Sequence, residues 1–360
     1  MAKIKVGIIG TGSMGAEHAH RFRKIRGVDL CACHDVDSKR AVDFARKHQI
    51  AMVGSSVDEV IQQCDALSIV TPDASHAALS LQVLDAGKHL LCEKPLTTSL
   101  ADARRVARKA LGAWRRHGAI HMINFTRRNR PAAEAAIKVA RRGDLGEIRH
   151  VHASYLQSWL RSDVWGHWTA PHFLWRLQSG EASAGVLGDL GCHLLDLITA
   201  VAGDIEAVDC ALGTFPKIDK QGRNRTSWRG ARLDANDSTV IGLHFAGGAL
   251  GVCHSTRWAT GQIDSLDLSV HGTEGALRIK LDEEVDKLHL CRGKGIRKGR
   301  WTTRTVRATP SIHDRFIRSI RTNTPQQPDL LRGAQVQSYL DACQRSAAQH
   351  GRTTRIRNWQ

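Results

Sequence analysis

No apolar run in these 360 residues reaches the ~18 that a membrane-crossing helix needs, so no membrane span is expected. No basic leader with an apolar stretch and cleavage site precedes the first strand-like run at Ile4, so no secretory signal is expected. The nine cysteines contain no CxxC pair and most sit in apolar runs. Buried, reduced thiols are expected from them, not a metal centre or a disulfide framework. Acid is also scarce: 35 Asp and Glu face 52 Lys and Arg, a formal charge of +17. Such a balance suits nucleic acid or an acidic ligand, but here the positive charge is spread widely. Its densest stretch, Arg292 to Arg307, holds seven basic residues and no acid, yet Gly293, Gly295 and Gly299 make it read as a solvated hairpin or loop. No helix-turn-helix, zinc-finger or RRM signature accompanies it. No nucleic-acid, membrane or metal partner is therefore expected, and the default location is the cytoplasm.

What is present is a change of rhythm near residue 124. Before it, strand and helix patterns alternate, which argues for a parallel sheet with crossover helices. Ile4 to Ile9, Val28 to Cys33, Ala66 to Val70, Lys88 to Cys92 and Ala119 to Ile123 read as strands. Helices are expected at Ala16 to Ile25, Ser38 to His48 with Ser38 as cap, Ser75 to Asp85, and after Ser99. Beyond Asn124, a helix from Pro131 and another over Asp189 to Ala202 interrupt a run of strands, with Ala246-Gly247-Gly248 as a hairpin turn. Two further helices close the chain. The fold class expected is α/β: an N-terminal Rossmann domain over 1–124 and a C-terminal α/β domain over 125–360 with a mostly antiparallel open sheet.

Gly10-Thr11-Gly12-Ser13-Met14-Gly15 matches GxGxxG, follows an apolar strand and opens a helix. In that context the glycines permit a tight turn and let backbone N–H groups approach a pyrophosphate at the helix N-terminus. Asp35 stands twenty residues after Gly15, at the end of the second strand run. A carboxylate there accepts hydrogen bonds from the adenosine ribose and repels a 2′-phosphate, so NAD is favoured over NADP. Lys39 and Arg40, close by in sequence, could offset that repulsion, so NADP stays open.

Ligands of open α/β sheets bind at the carboxyl ends of strands. Two such ends carry polar groups: Thr71-Pro72, with His76 shortly after, and Glu93-Lys94-Pro95. All but Pro95 are assigned to the cofactor site, and Lys94 also to the chemistry, because an ammonium can stabilise an alkoxide developing on a substrate hydroxyl. Further on, Asp189 and His193 lie four apart at a helix start and share a face. A histidine beside a carboxylate can serve as a general base, and Asp196, a turn later, could also orient the ring. The segment Ser158 to Arg176 concentrates Trp159, Trp165, Trp168, Phe173 and Trp175 with His167, His172 and Arg176. Trp165, Trp168, Trp175 and Arg176 are candidates for a sugar platform; an aromatic core or subunit contact is the competing reading.

As a set, GTGSMG with His18, TPDASH, GKHLLCEKP, INFTRRNRP, GDLGEI and GDLGCHLLD resemble the glucose–fructose oxidoreductase, inositol dehydrogenase and rhizopine-catabolism (Gfo/Idh/MocA) family through most of the chain. The resemblance implies a Rossmann domain followed by an α/β domain whose open sheet commonly forms the subunit interface, hence a homodimer or homotetramer. It implies that Lys94, Asp189 and His193 serve the chemistry and that Pro95 is cis. The activity implied is NAD(P)-dependent hydride transfer at a secondary hydroxyl of a sugar, glycoside or cyclitol. The aromatic cluster, with WRL ahead of GDLGCH, looks like branches acting on sugars and glycosides, including levoglucosan and glycoside 3-dehydrogenases. An NAD-dependent glycosidase and a non-catalytic sugar sensor are the alternatives. GDLGCHLLD does not look like the glycosidase motif, and the joint presence of Lys94, Asp189 and His193 argues against a sensor.

Overall fold

The computed structural model describes residues 3–179, 184–282 and 286–360, which fall into two compact units. The first comprises Met1–Phe125 and, from far along the chain, Pro310–Gln337 and Trp359–Gln360; the second comprises Thr126–Thr309 and Ser338–Asn358. Among the described residues, no helix is long and apolar enough to cross a membrane.

The first unit is a parallel sheet of β1 (Ile4–Ile9), β2 (Val28–His34), β3 (Met52–Val53), β4 (Ala66–Ile69), β5 (His89–Cys92) and β6 (His121–Ile123). Its order is β3-β2-β1-β4-β5-β6, so the direction of winding reverses between β1 and β4, where such folds open a ligand crevice. The crossovers are α1 (Ser13–Arg23), α2 (Ser38–Lys47), α3 (Val57–Gln63), α4 (His76–Asp85) and α5 (Leu100–His117). Strand β1 is buried from Val6 onward, as a central strand covered on both faces must be. At Gly7 a Cβ would lie 2.7–2.9 Å from side chains of Val60, Cys64 and Leu67, so glycine is what lets α3 and β4 pack so close. The helix cap of α2 corrects the expectation from sequence: Asp37, not Ser38, accepts from the Arg40 N–H at 3.0 Å, and Ser38 is already helical. Both types can cap, but only Asp37 has the extended backbone that the position requires. Ile312, Phe316 and Ile317, from the helix Ile312–Thr322, pack into one cluster with Val6, Ile8, Phe22, Leu30 and Phe44.

In the second unit α6 (Pro131–Arg141), β7 (Ile148–Gln157), α7 (Pro171–Leu174) and α8 (Cys192–Ala202) lead into β8 (Ile205–Gly213). Two small hairpins follow, β9 (Lys217–Ile218) with β10 (Asn224–Arg225) and β11 (Ser227–Trp228) with β12 (Ala231–Arg232). The sheet is completed by β13 (Ser238–Phe245), β14 (Leu250–Thr256), β15 (Asp264–Gly272), β16 (Gly275–Leu281), β17 (Lys287–Arg292), β18 (Thr302–Arg304) and β19 (Thr354–Arg355). Nine strands run in the order β18-β17-β16-β15-β7-β14-β13-β8-β19. Only β7 and β14 pair in parallel; the other pairings are antiparallel. Helices α6 and α8 pack on one face. The other keeps Val240 and Leu250 more than half exposed, in register rows with His244, His254 and His150. The basic stretch after Arg292 forms the link between β17 and β18, a hairpin as expected. The helix expected from Asp189 begins differently: Leu187–Gly191 is a π-helical turn, and regular α-helix starts at Cys192. Such turns widen the helix and recur at functional sites.

Candidate active site

In the first unit the three fingerprint glycines have separate reasons to be glycine. Gly10 has φ +98° and a Cβ there would meet the Val70 backbone at 2.9 Å. Gly15 lies against the Gly10 carbonyl, 2.4 Å from where its Cβ would be. Around Gly12 nothing lies within 4 Å, and Gly12 is the N-cap of α1, a helix start with no side-chain cap and no acid in its first turn. That end therefore presents bare N–H groups and the positive end of the helix dipole to open space, which suits a dinucleotide pyrophosphate.

Asp35 sits where the sequence put it, but it is already engaged. Its Oδ2 accepts from the Thr11 N–H at 2.7 Å, the Thr11 hydroxyl at 2.8 Å and Arg40 Nε at 3.2 Å; its Oδ1 accepts from the Asp37 N–H at 3.0 Å and Arg40 Nη2 at 2.6 Å. A carboxylate offers about four lone-pair sites, so these donors saturate it. Burial works to raise its pKa, but Arg40, the two N–H groups and Thr11 outweigh burial and hold it well below the usual carboxylate range. Asp35 thus anchors the fingerprint loop to the end of β2. The Arg40 side chain that holds it is half exposed.

Two other residues assigned to the cofactor face inward, and this corrects the sequence reading. The His76 ring is buried, with Nδ1 2.8 Å from the Pro95 carbonyl and Nε2 2.9 Å from the Thr71 carbonyl. It clamps the two strand-end segments together. Glu93 is buried, with Oε1 3.0 Å from His18 Nε2 and bonded to the Asn124 amide, while Oε2 accepts from the Lys94 N–H at 3.1 Å. His18 is fixed in turn by Ser68 at 2.7 Å and by an edge-on His313 ring at 4.4 Å. Burial would raise the Glu93 pKa, but His18, Lys94 and Asn124 outweigh it and pull it down to about 2. The strand end that presents Lys94 is therefore braced from below. Lys94 itself is partly exposed, and the Lys94–Pro95 peptide is cis.

In the second unit Asp189 lies in the π-helical turn and His193 in the first turn of α8. The edge of the Tyr155 ring faces the His193 ring, centroids 6.3 Å apart. The Tyr155 hydroxyl accepts from Arg127 Nε at 2.9 Å; Arg127 also pairs with Asp264, which accepts from Gln157 at 2.8 Å. Burial first, then the carboxylates of Asp264 and Asp189, hold the Tyr155 phenol far above its ordinary range, with Arg127 opposing. Asp196, which the sequence reading offered to His193, pairs with Arg128 at 2.7 Å. Asp189 pairs with Arg257 at 3.1 Å. Tyr155, Arg127 and Arg257 were not among the site residues expected from the sequence. A signal for Arg257 existed: it continues the buried phase of β14 after Cys253 and Ser255, where a charge is out of place.

The aromatic segment divides. Trp168 is 1% exposed, donates its indole N–H to the Ile218 carbonyl at 2.6 Å, and packs with Trp159, Phe173, Leu177 and Leu233. It is a core residue, which corrects its assignment to a sugar platform; a ring sealed in this way has no face to offer. Trp165 is 39% exposed, and Trp175 carries the Arg176 guanidinium 4.3 Å above its ring.

Residues 4–125 match the oxidoreductase family with an NAD-binding Rossmann fold, and residues 133–278 match the GFO/IDH/MocA C-terminal domain. The chain belongs to the Gfo/Idh/MocA oxidoreductase family. Its first unit is the NAD-binding part of such an oxidoreductase. Among relatives, the levoglucosan dehydrogenase of Pseudarthrobacter phenanthrenivorans is 27% identical over 298 residues, covering 77% of this chain and 73% of that protein. The D-apiose dehydrogenase of Paraburkholderia graminis is 26% identical over 289 residues, covering 79% and 69%. Of solved structures, an oxidoreductase domain protein from Kribbella flavida superimposes with a TM-score of 0.86 at 28% identity, covering 99% of this chain and 100% of that one. A levoglucosan dehydrogenase in complex with NADH and levoglucosan gives 0.83 at 25% identity, covering 99% of each.

The two tryptophans should separate cleanly. Trp168→Ala is expected to lower stability by about 3–5 kcal/mol and Trp165→Ala by less than about 1, read from urea unfolding; comparable losses would contradict the division. Glu93 supplies a pH test. Its folded pKa lies below the ordinary 4.5, so its contribution is complete above about pH 4.5 and lost as pH falls toward about 2. Glu93→Gln should lower stability at neutral pH and flatten the decline across that window; an unchanged acid limb would count against the braced carboxylate.

Proposed function

We propose that this chain is an NAD-dependent dehydrogenase of a sugar, glycoside or cyclitol, with NADP as the less favoured cofactor. The observation that carries the reading is the second-unit site: a buried histidine at a helix start, one turn from a carboxylate held by a buried arginine. The relatives named for levoglucosan and D-apiose support the substrate class. When bound, NAD supplies the acceptor for the hydride that leaves the substrate carbon. Lys94 stabilises the negative charge that develops on the hydroxyl oxygen. His193 takes the hydroxyl proton, and Asp189 fixes the orientation of His193. Gly10, Thr11, Gly12, Ser13, Met14 and Gly15 hold the pyrophosphate, Asp35 and Arg40 meet the adenosine ribose, and Thr71 and Pro72 border the nicotinamide. Trp165, Trp175 and Arg176 contact the sugar. The same residues serve the reverse reaction, reduction of a keto sugar.

The assignment of the cofactor to the first unit and the substrate to the second belongs to this proposal, as does self-association into a homodimer or homotetramer. Val240 and Leu250, exposed on the open face of the large sheet, support such an interface. Nine free thiols, eight of them buried, support a cytoplasmic location.

A screen of sugars and glycosides with NAD and NADP, followed by absorbance of the reduced cofactor, tests the reading. Bound NAD recycled during glycoside hydrolysis would point to a glycosidase instead, and sugar binding without turnover to a sensor. In nucleotide titrations NAD should bind more tightly than NADP, and Arg40→Ala should widen that gap by removing the cation that offsets Asp35. Equal or tighter NADP binding by the unmodified chain would overturn the preference. Lys94→Ala should reduce turnover on the order of 10²–10³-fold and His193→Ala on the order of 10²–10⁴-fold, each with NAD affinity retained. The double variant should lose less than the product of the two, since both groups serve one transition state. Near-normal turnover in Lys94→Ala would remove the central role given to that residue.

A further inference from the structure

The role given to Asp189 and His193 leaves the charged group paired with Asp189 unused. Arg257 has no exposed surface at all. It follows β14 directly, and its backbone is pinned on both sides: its N–H donates to the Asp237 carbonyl at 3.0 Å, and its carbonyl accepts from Leu160 at 3.3 Å. From that fixed base the guanidinium reaches three parts of the unit. Nη2 donates to Asp189 Oδ2 at 3.1 Å, Nη1 donates to the Arg176 carbonyl at 3.0 Å, and the planar group lies 5.0 Å from the centre of the Trp159 ring.

Burying a guanidinium is costly unless a carboxylate and further hydrogen bonds compensate it. Asp237, whose carbonyl accepts from the Arg257 N–H, has its carboxylate held by the Lys217 ammonium at 2.7 Å, a pair with no exposed surface on either side. The carboxylate that pairs with Arg257 is Asp189. Turning or protonating the Asp189 carboxylate would strand a buried cation, so its orientation is fixed by a requirement outside its own turn. Lysine could not do the same. A single ammonium cannot bridge carboxylate and carbonyl in one plane while stacking on an indole.

We propose that Arg257 is a positioning residue for the active site: it holds the Asp189 carboxylate in place and joins it to the segment of Trp159 and Arg176. The proposal rests on the functional reading of Asp189 and His193. It adds that the aromatic segment and the proton-handling turn form one mechanical unit, so that changes in the segment alter turnover as well as substrate affinity. Among the described residues, the charged and titratable groups that surround this turn include Arg257 on Asp189, the Cys192 thiol on the Asp189 carbonyl, the Tyr155 phenol with Arg127 and Asp264, and the Arg128–Asp196 pair beneath α8.

The test compares Arg257→Met and Arg257→Lys in the full chain by two measurements. The first is an NMR titration of ring-labelled histidines, with the His193 signal identified by its loss in His193→Gln; it needs no substrate. Removing the guanidinium takes a buried cation from the Asp189 carboxylate, so the His193 midpoint should rise in Arg257→Met and return part of the way in Arg257→Lys. The second is steady-state kinetics with whichever sugar the screen finds. There kcat should fall on the order of 10²-fold in the methionine variant, by less in the lysine variant, and NAD affinity should hold in both. A His193 midpoint that stays at the wild-type value in both variants overturns the proposal, whatever happens to turnover. Should the methionine variant fail to fold, the lysine variant decides, because it keeps the charge but not the geometry: its midpoint must still move. If no sugar is oxidised, the functional reading fails while the titration still decides the role of Arg257.

Discussion

A carboxylate bonded to a buried cation is not free to choose its position, and this constraint organises the second unit. Arg257, Arg128 and Lys217 are each sealed from water or nearly so, and each is paired to an aspartate: Asp189, Asp196 and Asp237. Pairs of this kind contribute little net stability against well-packed apolar side chains. What they fix is geometry. Removing either partner leaves a charge in the interior, so the backbone segments that carry the partners hold one arrangement. Two of the three pairs bracket His193 in sequence, on the turn before it and on the turn after.

The first unit applies the same device with different groups. Asp35 and Glu93 directly follow β2 and β5, and both spend their oxygens on the protein: Asp35 on Thr11 and Arg40, Glu93 on His18, Asn124 and the Lys94 N–H. His76 joins the Thr71 and Pro95 carbonyls. The groups that face outward, the N–H groups at Gly12 and the Lys94 side chain, stand on loops whose inward sides are tied down. Loops tied down in this way hold their outward groups in one arrangement before any ligand arrives.

Much of this was legible in the sequence, because periodicity and glycine placement are local properties. The alternation of strands and helices up to Ile123, the fingerprint at Gly10 to Gly15, and the hairpin at Ala246 to Gly248 all depend on near neighbours. The failures share a different cause. Glu93, His76 and Trp168 were assigned outward roles because their residue types suit ligands, but which way a side chain points depends on partners remote in sequence. His18 and Glu93 are 75 residues apart, and Arg257 and Asp189 are 68. The π-helical turn at Leu187–Gly191 has no residue pattern of its own, so an ordinary helix was expected through Asp189. Asp37 and Ser38 are both capping types, and only the backbone conformation separates them.

The helix Ile312–Thr322 gives Ile312, Phe316 and Ile317 to the core that Phe22, Leu30 and Phe44 began almost three hundred residues earlier. A ribosome delivers the chain from its first residue onward, so the nucleotide-binding unit is synthesised long before the side chains that close its core exist. In that interval Phe22 and its neighbours are left with a missing wall, and the growing chain exposes an apolar surface of the kind that chaperones recognise. The second unit, whose sheet begins at Ile148, must be threaded out in the meantime. The nucleotide-binding unit is thus the first to start and among the last to finish, an order of assembly dictated by where one amphipathic helix was placed in the chain.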